Sequence, residues 1–417
     1  MPDEITKQIE LLDVETNSTT RLAFSEVTHD GDLNGIYTTI RGDEEITIQI
    51  DDQKVSINGE NVSILRQVNN GFEIEWNHKT YHITKAKDYI LEVQHLKQYF
   101  PLDTNFFGKT TTYLKAVDDV SFNIERGKTL GIVGESGCGK TTLGRSILKV
   151  YEMTGGDVFF DGRNLNEVKG KDLRDLRCDL QLIFQDPYSS LPPRQTVGEI
   201  IGEAVKVHNI VPKNEVKSYV RDIMRKCGLQ EHYYDRYPHE FSGGQRQRIC
   251  IARALAVKPK LVICDEPVSA LDVSIQAQII NLLKQLQIEM GLTYIFISHD
   301  LSVVKYISDE IGVMYLGSLV EKGTKAEIFK NPKHPYTQAL FSAVPVPDPN
   351  VKMNRIILSG DIPSPANPPQ GCKFHTRCQK CMKVCETVVP KFIEIEPDHF
   401  VSCHLYDKGN VDEEKEA

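Results

Sequence analysis

The sequence predicts an α/β fold built on a parallel sheet, with an antiparallel β domain before it and a proline- and cysteine-rich segment after it. Three observations carry that reading. Residues 1–88 alternate apolar and polar side chains with period two, and residues 89–330 alternate short apolar runs with helical stretches. Nine of the chain's 20 prolines then crowd into residues 332–369, ahead of five cysteines within 32 residues.

Length and charge bound the possibilities. A chain of 417 residues suggests two or three domains of about 150 residues each. With 26% charged and 40% hydrophobic residues it can bury a core. The balance of 49 basic against 58 acidic residues, a net −9, excludes a general nucleic-acid binder, which needs a basic surplus. No run approaches 18 uncharged apolar residues, and the start MPDEITKQIELLD lacks the basic and apolar parts of a signal peptide. The expectation is a cytoplasmic protein, or one held at a membrane by partners.

Within 1–88 the runs Ile46–Ile50, Val55–Ile57, Phe72–Trp76 and Tyr81–Ile83 are separated by turn signals at Asn58-Gly59, Asn69-Asn70-Gly71 and Asn77-His78. That spacing predicts hairpins of a small antiparallel domain with no chemical motif, a stability or docking module or a binder of a regulator or small ligand. In the next segment Thr129–Val133, Leu180–Phe184, Leu261–Cys264 and Tyr294–Ile297 are nearly continuous apolar runs, as strands covered on both faces require. Helical stretches at 214–227 and 275–290 fall between them. After 330, Pro332, Pro335, Pro345, Pro347, Pro349, Pro363, Pro365, Pro368 and Pro369 predict an extended appendage.

The stretch Gly134, Glu135, Ser136, Gly137, Cys138, Gly139, Lys140, Thr141 fits G-x-x-x-x-G-K-[ST], between a predicted strand and a helix expected to begin at Thr142. Small residues let backbone amides curl around phosphate oxygens, and the helix start adds positive potential. Lys140 is expected on the β and γ phosphates and the Thr141 hydroxyl on Mg²⁺. A second apolar run ends in Asp265 and Glu266. Asp265 is expected to hold Mg²⁺ and Glu266 to polarise an attacking water.

Between these sites lies Phe241-Ser242-Gly243-Gly244-Gln245, followed by an amphipathic stretch. Here the chain resembles the ATPase subunits of ABC transporters, whose signature is [LF]-S-G-G-Q. Further matches are Gln185 in Phe184–Pro187, Asp272 in Ser269–Asp272, and His299 in Ile297–His299. The separation of Lys140 from Ser242, 102 residues, suits a helical subdomain at about 186–258 and not the coiled coil of chromosome-maintenance relatives. The resemblance implies a P-loop NTPase core of ABC type over 89–330. It implies adenine stacking on Phe100, with Tyr99 as alternative, and Gln185 on Mg²⁺ or the attacking water. It further implies His299 on the γ-phosphate and Asp272 at a dimer interface. Ser242, Gly243, Gly244 and Gln245 would bind nucleotide held by a second ATPase domain, because this chain has one copy of each motif.

The match narrows at Gly134–Lys140, Gln185–Leu191, His334–Thr337 and Gly360–Cys372, which look like the oligopeptide/dipeptide importer ATPases, a branch that includes nickel importers. It spans 89–405, leaves the β domain unexplained, and departs mildly at Leu191-Pro192-Pro193. The 331–417 extension carries Cys372, Cys378, Cys385 and Cys403, resembling a motif reported to hold a [4Fe–4S] cluster in some members. Four thiolates suit Zn²⁺ as well, with His375 and His404 adjacent, and Cys381 competes as a ligand. Reduced thiols packing a small segment are the third reading. The implied partners are a homologous second ATPase, two transmembrane permeases and, indirectly, an extracytoplasmic substrate-binding protein, with no nucleic acid. The implied place is the cytoplasmic face of the membrane. A nickel or other solute importer and a non-transport ABC regulatory protein are the alternatives.

Overall fold

The structure is a computed structural model that describes residues 8–13, 18–26, 35–41, 44–51, 54–68, 71–85, 87–104, 110–343 and 355–407. Pro345, Pro347 and Pro349 lie outside the described residues. The chain separates into two compact units, Met1–Asp88 and Tyr89–Ala417.

The first unit is a closed barrel of eight antiparallel strands, each paired with its neighbour in sequence. Closure comes from the first strand, Gln8–Asp13, pairing with the last, Lys79–Lys85, through Ile9↔Lys85 to Asp13↔Tyr81. Period two then becomes inside and outside. Ile46, Ile48 and Ile50 are buried with Val55, Ile57, Ile74, Tyr81 and Ile83. The tight turns hold Asn58, Gly59, Asn77 and His78 at positive φ, the primed geometry that matches strand twist. Closing the sheet removes the exposed edges that single hairpins would leave.

In the second unit a main sheet of eight strands runs Leu180–Ile183, Leu261–Asp265, Thr293–Ile297, Thr129–Val133, Glu310–Tyr315, Ser318–Thr324, His399–Ser402, Phe392–Glu396. The first five are mutually parallel. Every residue of Thr129–Val133, Leu261–Asp265 and Thr293–Ile297 is buried, which is why those runs carry no polar alternation. A second, antiparallel sheet is built mainly from the long strands Tyr89–Thr104 and Thr110–Glu125 with Gly155–Phe160. Helices Val197–Val207, Val216–Lys226 and Gly243–Leu255 pack into a helical lobe around Val205, Val220, Met224 and Ile251.

Within the proline-rich segment, Pro335–Ser342 is a helix, while residues 355–371 form neither helix nor strand. Beyond it, the hairpin of Phe392–Glu396 and His399–Ser402 adds to the main sheet through Glu321↔Val401 and Lys322↔Phe400. The reason is a fully buried carboxylate. Glu321 accepts the Lys333 amide at 2.8 Å, the His334 amide at 2.9 Å and His399 Nε2 at 2.8 Å, so three pieces of chain meet on one charge. A buried carboxylate without those donors would cost several kcal/mol, on the order of an unpaired buried ion.

His334 is buried beside that charge and caps helix Pro335–Ser342 by accepting the Tyr336 amide on Nδ1 at 3.1 Å. That role needs the neutral ring, and burial pushes its pKa down from 6.5 to about 4. An unfolded histidine takes up its proton near pH 6.5 while the folded one resists, so stability is present above 6.5 and is lost as the pH falls towards 4. The full span is worth about 3 kcal/mol. Urea unfolding of wild type and His334→Asn, which keeps a capping oxygen, should therefore diverge over this window, with the wild type losing more. Parallel curves would disprove the effect.

Candidate nucleotide site

The phosphate loop starts where the central strand Thr129–Val133 ends and closes into helix Lys140–Ile147. Two glycines are required by close approach. A Cβ on Gly134, at φ +153, would stand 2.3 Å from the Met314 carbonyl, and one on Gly139, at φ +103, 2.0 Å from that of Ala116. Ser136 and Gly137 form the exposed crest, and among the described residues no hydrogen bond takes up the amides of Ser136, Gly137 or Gly139. Those donors, with the unpaired amides at the helix start through Thr142, form an anion cradle.

Lys140 is buried, and its ammonium donates to the Gly134 carbonyl at 2.8 Å and the Glu135 carbonyl at 3.0 Å, with Cys138 Sγ at 3.8 Å. No carboxylate contacts it among the described residues. Thr141 Oγ1, in the first turn of the helix, donates to Asp265 Oδ1 at the end of strand Leu261–Asp265 at 2.8 Å. Burial raises the Asp265 pKa, against the Thr141 bond. A hydroxyl beside a desolvated carboxylate is the donor set that a hard divalent cation such as Mg²⁺ selects.

Gln185, Glu266 and His299, drawn from three separate motifs, come together. Gln185 Nε2 donates to Glu266 Oε2 at 3.0 Å, and His299 Nδ1 lies 3.3 Å from Glu266 Oε1. Glu266 sits at φ 47, a left-handed conformation that a non-glycine residue adopts at a cost of about 1–3 kcal/mol. Its amide is pinned to the Ile297 carbonyl at 2.9 Å, which holds the carboxylate between its two partners. The histidine side chain is 61% exposed, so the trio opens outward.

Ser242 caps helix Gly243–Leu255 through a reciprocal box with Gln245, at 3.4 and 3.1 Å. Among the described residues no hydrogen bond joins Ser242–Gln245 to the phosphate loop. Asp272 caps helix Val273–Met290 by accepting the Ile275 amide at 3.0 Å. Phe100 and Tyr99 lie on opposite faces of one strand. Phe100 packs edge-on to Tyr151 at 5.2 Å, whereas the Tyr99 hydroxyl donates to Asp118 and Lys115 lies over its ring.

Residues 117–269 match the family model described as ABC transporter, and residues 320–385 match the one for the C-terminal region of oligopeptide/dipeptide transporters. The oligopeptide transport ATP-binding protein AppF of Bacillus subtilis is 53% identical over 320 residues, 76% of this chain and 97% of its own length. OppF of Escherichia coli, of the same description, is 52% identical over 326 residues, covering 77% and 97%. The chain belongs to this family. It is an ABC-type ATP-binding protein of the oligopeptide/dipeptide branch. Among solved structures, cbiO1 of Clostridium perfringens is 30% identical at TM-score 0.51, covering 59% of this chain and 92% of that one. The ATP-binding cassette MJ0796, as a dimer with ADP and Pi, is 26% identical at TM-score 0.51, covering 56% and 98%. Neither family model touches residues 1–88.

The cysteines of this ABC protein divide as their spacing suggests. Cys138, Cys227, Cys250 and Cys264 are free and buried. Burial pushes the Cys372 thiol up to about 12, with Cys385, Cys403 and Cys378 adding to the shift, and the Cys403 thiol up to about 11, with Cys378 and Cys385 adding. Cys378 is likewise raised by burial and then by Cys385. Cys381 is exposed and senses only Cys378 and Cys385 of the four. Among the described residues, however, no group of three or more His, Cys, Asp or Glu side chains stands close enough to hold a metal ion. Neither the iron–sulfur nor the Zn²⁺ expectation is supported as the side chains stand, and Cys372 and Cys385 belong to the hydrophobic core.

Motif reading missed Tyr336 and Arg377, which reach the loop from 201 and 242 residues away. No local pattern signals such contacts. Replacing Glu266 by Gln keeps the side chain's shape but removes the carboxylate expected to act as the base. ATP binding should survive while turnover falls by about a hundred-fold or more. Wild-type hydrolysis by Glu266→Gln in a preparation with no second active site would refute that role.

Proposed function

We propose that this chain is the subunit that hydrolyses ATP to drive peptide import across a membrane. The observation that carries the reading is the match of residues 320–385 to the peptide-transporter C-terminal region, in a chain whose Gln185, Glu266 and His299 are assembled. The loop amides and Lys140 bind the triphosphate, and Phe100 stacks on the base with Tyr99 held by Asp118. Thr141, Asp265 and Gln185 would hold Mg²⁺, which neutralises charge on the β and γ oxygens. Glu266 accepts a proton from the attacking water as its oxygen bonds to the γ-phosphorus and the bond to ADP breaks. His299 and Gln185 orient the reacting groups.

Ser242, Gly243, Gly244 and Gln245 serve a site on a second, homologous ATPase, with Asp272 at the interface. The dimer described for MJ0796 supports that arrangement. Two transmembrane permeases and an extracytoplasmic substrate-binding protein complete the system and place this subunit at the cytoplasmic face of the membrane. No helix among the described residues is long and apolar enough to cross it. Reconstitution with the two permeases and the second ATPase tests the proposal. Peptide delivered by the binding protein should raise ATP turnover, and Glu266→Gln should abolish the rise. Stimulation by nickel instead of peptide, or none in the assembled system, would overturn it.

The quartet of cysteines is proposed to take a [4Fe–4S] cluster. Support is the spacing of Cys372, Cys378, Cys385 and Cys403 and the burial of three of the four. As the side chains stand among the described residues they are not close enough to hold a metal, so loading requires them to move. Protein purified without oxygen should carry about four iron and four sulfide per chain. One zinc per chain, or neither metal, would reject the cluster.

A further inference from the structure

The turn between two of the quartet cysteines, residues 372–378, carries two cations that reach opposite ends of the nucleotide site. Lys373 Nζ bonds Asp118 Oδ2 at 2.8 Å, the Leu316 carbonyl at 3.0 Å and Ser318 Oγ at 2.7 Å. Asp118 is the carboxylate that also holds the Tyr99 hydroxyl. Arg377 reaches into the phosphate loop itself. Its Nη1 donates to Glu135 Oε2 at 2.9 Å and Oε1 at 3.3 Å, and its Nη2 to Oε1 at 3.3 Å. Arg377 is buried, with only 8% of its surface exposed, and Nη1 lies 3.5 Å from the Tyr315 hydroxyl. A second tie comes from the same end of the chain, where Tyr336 accepts the Glu135 amide at 3.0 Å.

Glu135 is a liability where it stands. It places a carboxylate in a loop whose task is to receive a polyanion, and like charges at short range in a partly desolvated site repel. Arg377 cancels that charge through a fork that only a guanidinium supplies.

We propose that Arg377 is a positioning residue for ATP binding, neutralising Glu135 so that the phosphate loop accepts the triphosphate. The cysteine-bearing segment thereby sets nucleotide affinity. This rests on nucleotide binding at the phosphate loop, and not on any metal at the cysteines or on the transported solute.

The test measures ATP affinity of the full chain, using a fluorescent ATP analogue, and KM against kcat in the assembled transporter. Arg377→Met leaves the carboxylate uncancelled and should weaken ATP by about ten-fold, the scale of groups in direct contact, with KM raised and kcat largely kept. Adding Glu135→Gln to that variant should restore affinity, because the repelling charge is gone. Arg377→Lys should recover only part. Should Arg377→Met fail to fold, Arg377→Lys and Arg377→Gln with Glu135→Gln are read in its place, and rescue by the neutral glutamine remains the criterion. Wild-type affinity in folded Arg377→Met, or a double variant weaker than Arg377→Met, would overturn the proposal, the latter showing a purely structural brace. Loss of binding in Lys140→Met confirms that the probe reports the loop, so failure of the nucleotide-site assignment is distinguishable from failure of the Arg377 role.

Discussion

A buried ammonium with no carboxylate partner among the described residues organises this ATPase. Lys140 is held by two carbonyls of its own loop, which orient it but do not neutralise it. A cation in that position would be expensive unless a polyanion arrives, so the loop is stable in shape and incomplete in charge. The fold follows from keeping it so. The central strand of the parallel sheet delivers the loop, the helix start adds potential of the same sign, and Gly134 and Gly139 let the loop pack directly against the Met314 and Ala116 carbonyls. Acidic groups nearby are each occupied elsewhere. Asp265 takes the Thr141 hydroxyl, and Glu135 takes Arg377. Neither collapses onto the lysine.

The same logic explains the strain at Glu266. A catalytic carboxylate at the edge of a cationic site would fold inward onto the nearest positive charge if its backbone allowed. Its left-handed φ and the bond from its amide to Ile297 send it sideways, between Gln185 and His299. The strain is local and small beside the buried strands on either side, Leu261–Asp265 and Thr293–Ile297, which fix both anchors. Position is thus paid by packing, while the chemistry stays exposed.

Which parts were legible in the sequence depends on the range of the interaction. The phosphate loop, the Asp265-Glu266 pair and the helix caps at Ser242 and Asp272 are local, and each is readable because strand, loop and helix follow one another directly. Buried parallel strands were readable from their unbroken apolar runs. Barrel closure was not, since pairing of Gln8–Asp13 with Lys79–Lys85 depends on register and on no residue type. The C-terminal segment was misjudged for another reason. Proline density describes the backbone, but Glu321 decides where that backbone goes, and its three donors come from residues 12 to 78 positions away. Ion pairs such as Arg377 with Glu135 leave no trace in spacing at all.

Half of the chemistry in this chain faces outward. In helix Gly243–Leu255 the Ser242 side chain takes up the Gln245 amide, no hydrogen bond takes up the Gly243 or Gly244 amide among the described residues, and the trio around Glu266 lies open at His299. With Ser136, Gly137, Ser242 and His299 all exposed, the site leaves room for the surface of the proposed second ATPase. Water can reach Glu266 until that surface arrives, so closure would change both the dielectric around the carboxylate and the access of solvent to it. The C-terminal segment acts from the opposite direction, holding Glu135 from within the same chain before any partner is present.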